Sequence, residues 1–313
     1  MPSLSLRLAL SIGLVALTRL ATAQEAASAI EQSRLYQKVP APITPAVNAD
    51  GMALGDTTSG DTSDDSLGAQ VFLKNQPRIR TFFVSADASA FYTSNVALTR
   101  RDHLSDFLVV ANTSASWNPH LANNLEAQIG AHVSVFRYER NPALDFGSTG
   151  LGAGISWTPP KLPGVAIFAR YDLNELLSRG GDELLRDHEF TAGAQKVFVL
   201  GRAHALSLGV TGMAGISDPG DSQRDQVGAF LAYHLQLARR FETDLSYRFS
   251  YYFYNEGGRI DRNQVAACSV RYHLTDWAEV SAVFTFGDNR SNEKVFTYDV
   301  FTAGAGLGVT ARF

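Results

Sequence analysis

The chain has 313 residues, a formal net charge of −4 and one cysteine, Cys268. A single cysteine excludes an intrachain disulfide and argues against a cysteine-based metal centre, and the mild acidity offers no basic face for nucleic acid. Beyond the first 23 residues no run approaches the ~18 apolar residues of a membrane helix, which leaves a β-barrel as the way such a chain could span a membrane.

Residues 1–23 read as a secretory signal. Arg7 supplies a weakly positive start, LALSIGLVALT an apolar core, and Ala21-Thr22-Ala23 a small-x-small cleavage site, so the expected cut precedes Gln24. The core is too short for an uncleaved anchor, and no cysteine stands after the cut to carry a lipid. Residues 24–79 are different material. Pro40, Pro42 and Pro45 precede GDTTSGDTSDDSLG, an acidic, small, polar run with the composition of a disordered segment. A short helix is expected over Ala26 to Leu35, and Gly68 to Asn75 has the pattern of a strand or docking piece. Two readings stand for this segment: a periplasmic tether, which is the plainer one, or a plug that folds into the lumen of a barrel built by the remainder of the chain.

From residue 80 to the end the chain alternates apolar and polar residues with period two, the mark of strands with one face buried or in lipid. Twelve strands are expected: Thr81–Thr93, Asp106–Trp117, Asn124–Tyr138, Ser148–Thr158, Gly164–Asn174, His188–Leu200, Ala203–Ala214, Gln226–Leu237, Phe241–Tyr254, Asn263–Leu274, Trp277–Phe286 and the last stretch, Val295–Phe313. The sixth is the least regular, because Lys196 falls on its apolar face. The connections alternate too. NPHLAN, PPKLP, ARR and TD are short, whereas SNVALTRRDHLS, ERNPALDF, ELLSRGGDELLRD and GISDPGDSQRD are longer and polar. Short turns at one end and longer loops at the other, on an even number of strands, is the pattern of a bacterial outer-membrane barrel. Trp117, Trp157 and Phe313 mark one rim of the apolar band; Tyr92, Tyr171, Tyr251, Phe253 and Phe286 mark the other. The expected fold is all-β: a transmembrane, antiparallel, up-and-down barrel of about twelve strands.

The last strand, VFTYDVFTAGAGLGVTARF, alternates strictly from Phe301 onward and ends on an aromatic residue. It resembles the C-terminal strand of Gram-negative outer-membrane β-barrels. The resemblance implies that Phe313 is part of the signal read by the barrel-assembly machinery, and that the chain sits among outer-membrane lipids. The entry hairpin, FYTSNVALTRRDHLSDF, is similar to the first hairpin of a porin-like subgroup with an aromatic-x-(S/D)-N-V opening and an S-D-F restart. That likeness implies location and fold, and no activity.

Twelve strands lie between eight, whose interior side chains can fill, and sixteen, which leave an aqueous channel. The inward phase carries Asp87, Glu126, His132, Arg170, Asp172, Glu189, His234, Glu242, Asp244, Arg248, Arg271, His273, Glu279 and Arg312. They either brace the wall by pairing with one another or line a solute path. Carboxylates outnumber arginines, which favours weak cation preference or little selectivity. The inward glycines Gly150, Gly152, Gly154, Gly304, Gly306 and Gly308 are expected to ease curvature, or else to leave room for another backbone. The favoured function is a narrow passive channel for small hydrophilic solutes, or an envelope barrel. The alternative is a lipid-modifying enzyme of the esterase or phospholipase type, for which His188, near an external rim, has no partner that the sequence places. The segment Ser178–Asp187 is expected to be a long charged surface loop, and Cys268 a small lipid-facing side chain. No catalytic residue, metal or cofactor is assigned.

Overall fold

The computed structural model describes residues 29–33, 81–201 and 203–313. The expected signal sequence and the strand expected over Gly68–Asn75 lie outside the described residues. Of the helix expected over Ala26 to Leu35, residues 29–33 are helical.

The strands are β1 (Phe82–Thr93), β2 (Asp106–Trp117), β3 (His120–Ala122), β4 (Leu125–Tyr138), β5 (Phe146–Trp157), β6 (Val165–Ser178), β7 (Glu183–Gly201), β8 (His204–Asp218), β9 (Arg224–Ala238), β10 (Phe241–Tyr254), β11 (Ile260–His273), β12 (Ala278–Ser291) and β13 (Tyr298–Arg312). All but β3 form the wall. Each wall strand pairs antiparallel with its neighbours in sequence, β2 pairs with β4 past the short β3, and β1 closes the ring against β13. Closure is a consequence of the pattern. An open sheet of this width would leave two edges of unpaired backbone groups, which neither lipid nor a stable soluble protein tolerates. The outward phase presents Ile129, Val133, Leu151, Ile155, Val210, Val227, Leu231 and Leu307, all exposed. A belt of that extent far exceeds what a soluble monomer shows and is the lipid-facing wall of a transmembrane barrel.

Several strands outrun their expected ends, by more than one residue only toward the longer connections. The stretch expected as a loop over Ser178–Asp187 is instead the top of a hairpin, with its turn at 179–182. Leu176 and Leu185 continue the inward phase and bury almost completely. Arg186 reaches Glu175 at 3.3 Å and Glu183 at 2.6 Å on the outer side. Likewise β8 continues to Asp218 and β9 begins at Arg224. With 19 residues, β7 is far longer than the ~9–11 needed to cross a bilayer, so the wall rises beyond the membrane at this loop end. Lys196 does stand on the outer face; its ammonium lies 5.1 Å from the centre of the Phe198 ring, its stem free to lie along the apolar wall.

The inward glycines have a reason that curvature alone does not supply. A Cβ on Gly304 would strike the Phe91 ring, and one on Gly209 the Phe230 ring. Each of these two glycines leaves the space that a neighbouring strand's phenylalanine ring occupies. Gly304→Val should therefore drive Phe91 into the lumen. It should also lower the temperature at which unboiled protein loses its folded gel mobility. Gly212→Ala, where nothing lies within 4 Å, should leave that temperature unchanged.

Candidate functional site

The barrel encloses a cavity of about 560 Å³. It extends from Ser33 and Arg224 near the loop end to Glu279 and Thr310 near the turn end, and every wall strand except β11 contributes to its lining. Of the residues expected to face the lumen, Asp87, His132, Arg170, Asp172, Glu189, Arg248 and Glu279 line this cavity. Arg170 is paired along its own strand: its Nε donates to both Asp172 oxygens, at 2.8 and 2.6 Å. Asp87 accepts from Asn112 at 3.0 Å, and Asn112 in turn accepts from the Ser134 hydroxyl at 2.8 Å.

Asp244 and Arg271 stand nearer the turn end, in a chain of contacts across four strands. His234 Nδ1 lies 2.8 Å from Asp244. Arg271 donates to Asp244 at 2.7 Å and pairs with Glu242 at 3.3 Å. His273 continues it, 3.3 Å from Glu242 and 3.6 Å from Glu279. This is wall bracing from β9 to β12, on the same inward phase as the cavity. Glu126 lies 3.1 Å from His120 and ties β3 to β4. Arg312 is exposed at the end of β13, beside Phe313, whose ring centre is 6.1 Å from that of Phe82. On the outer wall, His188 Nδ1 is hydrogen-bonded to the Tyr171 hydroxyl at 2.8 Å. Cys268 is outward, registered between Leu245 and Phe284.

The loop end is filled. Leu108, Val110, Phe136, Tyr138, Phe146, Leu176 and Leu185 turn inward and form an apolar core inside the barrel, with the Phe136 and Phe146 rings stacked at 4.2 Å. The helical turn 29–33 sits on it. Ala29 and Ile30 pack into the cluster beside Val96, and Gln32 Nε2 donates to the Val96 carbonyl at 3.0 Å. Glu31 accepts from the Tyr254 hydroxyl at 3.0 Å and lies 3.9 Å from Arg259. Arg259 is clamped between the Tyr254 and Phe296 rings, 3.9 and 3.5 Å from their centres, and grips Asp261 with two nitrogens. Arg224, 5% exposed, lies 4.0 Å from the Tyr252 ring centre, and its Nε and Nη1 have no hydrogen-bond partner among the described residues.

The entry-hairpin motif is part of this end. Asn95 donates to the Thr99 carbonyl at 2.7 Å and to the Asp299 carbonyl at 2.9 Å, lashing the first loop to β13. Asp106 accepts from the Arg140 and Asn141 backbone amides, both at 3.1 Å, and fixes the next loop. Sequence reasoning misses Arg224, Phe91, Phe168, Phe230 and Tyr252 as cavity residues. Each lies in the inward phase of its strand. The aromatics escape a reading of that phase for polar residues alone, and Arg224 stands two residues before the expected start of its strand.

No protein-family model matches the chain, and no curated protein matches its sequence. Among solved structures, an outer-membrane channel from Pseudomonas putida F1 aligns with a TM-score of 0.52 at 10% identity, over 74% of this chain and 96% of that one. This chain has the outer-membrane β-barrel fold. The outer-membrane channel DcaP of Acinetobacter baumannii (TM-score 0.39, 9% identity, 74% and 96% of the chains) and the β domain of the Bordetella autotransporter BrkA (0.43, 10%, 72% and 98%) align less closely.

Proposed function

We propose that the chain is an outer-membrane barrel that passes small hydrophilic solutes through its lumen, and that its N-terminal segment is a plug at the loop end. The observation that carries this is the cavity itself. Its volume of about 560 Å³ falls in the range of small-molecule sites, and it runs most of the way down a wall lined with serines, threonines and charged groups. A purely structural barrel of this width would fill that space with paired side chains. The charges facing it are Asp87, Asp172, Glu189 and Glu279 against Arg170, Arg224 and Arg248. With Glu242 and Asp244 against Arg271 below, this supports a weak preference for cations. The plug reading rests on the turn 29–33, whose Ala29, Ile30, Gln32 and Ser33 are all nearly fully buried at the loop end.

Ile30→Asp puts a charge into the apolar seat of the plug. Proteoliposomes containing this variant should swell in an isotonic pentose solution several-fold faster than those with the unaltered chain. If both swell no faster than protein-free liposomes, although both show folded gel mobility, the channel reading is wrong.

A further inference from the structure

We propose that the socket formed by Arg224, Tyr254 and Arg259 at the loop end is a binding site for a carboxylate-bearing solute, and that Glu31 occupies it as the chain's own stand-in. Glu31 is the one charged residue in the turn 29–33, and it is the one that enters the socket. Its carboxylate takes the Tyr254 hydroxyl at 3.0 Å and faces Arg259 at 3.9 Å. Arg224 is registered directly opposite Tyr254 across the β9–β10 pair.

Two features make this a site for a ligand and not only a seat for the plug. Both guanidiniums are held by rings, Arg259 between Tyr254 and Phe296 and Arg224 on Tyr252. They are therefore ordered in advance, which lowers the cost of binding. Second, Arg224 is nearly fully buried, lines the cavity, and leaves Nε and Nη1 without a hydrogen-bond partner among the described residues. Buried guanidinium nitrogens without a partner are costly, and a carboxylate matches them in charge and as an acceptor of a charge-assisted hydrogen bond. The charged groups around the socket are Asp261, held by Arg259, Glu189, which shares the cavity with Arg224, and Glu31. None of them hydrogen-bonds to Nε or Nη1 of Arg224. A free carboxylate arriving from the cavity is not bound to the backbone of the plug, so it can accept from an open Arg224 nitrogen while displacing Glu31 from Tyr254.

The end of a glutamate side chain is a propionate, so propionate is the probe, with propionamide as the uncharged control. The site refines the channel reading, but its test is binding, so the two can fail separately. Saturation-transfer NMR on detergent-folded, full-length protein should show propionate binding to Glu31→Ala at least tenfold more tightly than to the unaltered chain. Propionamide should not bind, and the additional change Arg224→Gln should abolish the gain. Glu31→Gln, which keeps the shape of the plug, should show the same direction of change if Glu31→Ala folds poorly. Equal propionate affinity in the unaltered chain and in the folded Glu31 variants, or a gain that survives Arg224→Gln, would overturn the proposal. Binding as expected in a barrel that never conducts would keep the site and remove the channel.

Discussion

Asp261→Ala should destabilise the folded barrel by about 3–5 kcal/mol, the cost of removing one partner from a buried ion pair. Asp261 is 1% exposed. It holds Arg259 with both oxygens and also accepts from Asn289 Nδ2 at 3.0 Å. Without it, a guanidinium packed between two rings keeps, among the described residues, only Glu31 at 3.9 Å as a counter-charge. The measurement is the urea midpoint for loss of folded gel mobility. Arg186→Ala is the comparison, because its pairs with Glu175 and Glu183 are solvent-exposed and such pairs contribute at most ~1 kcal/mol. Equal midpoints for the two variants would mean that the loop-end network is not buried in the way described.

Leu151→Arg should cost about 2–4 kcal/mol in folding into lipid vesicles, the range for a basic side chain on the lipid face near the bilayer midplane. Leu151 is outward and central in β5. Leu121→Arg in β3, equally apolar and exposed but at the turn end, should cost about 0–1 kcal/mol. The comparison depends on depth in the membrane and not on exposure, since both leucines are nearly as accessible, 59% and 58%. Equal costs would show that the outer belt does not lie in hydrocarbon.

The architecture was legible because a barrel strand repeats one rule. Every second residue from Phe82 to Tyr92 stands on the apolar face, and each later strand obeys the same alternation, so errors in single residues do not accumulate. What the sequence hid lies where that rule serves a different purpose. At the loop end the inward phase becomes apolar, with Leu176, Leu185 and Phe136 packing against one another in the interior. A reading that takes inward to mean polar ends the strand there and begins a loop. The fate of residues 29–33 was hidden for another reason. Nothing in Ala29-Ile30-Glu31-Gln32-Ser33 marks a partner, and the contacts with Val96, Tyr254 and Arg259 span more than 60 residues of sequence. The lumen charges were legible by phase, but not their pairing. Arg170 meets Asp172 two residues along its own strand, whereas Asp244 reaches across strands to His234 and Arg271.

Single-channel recording in a planar bilayer, comparing the full chain with one lacking residues 24–76, tests most directly whether the lumen is a solute path closed by its own N-terminal segment. Steady conductance that appears or rises sharply on truncation, with a reversal potential shifted toward cations in a salt gradient, is the expected result. Silence from both proteins, each shown by gel mobility to be folded, would contradict the account.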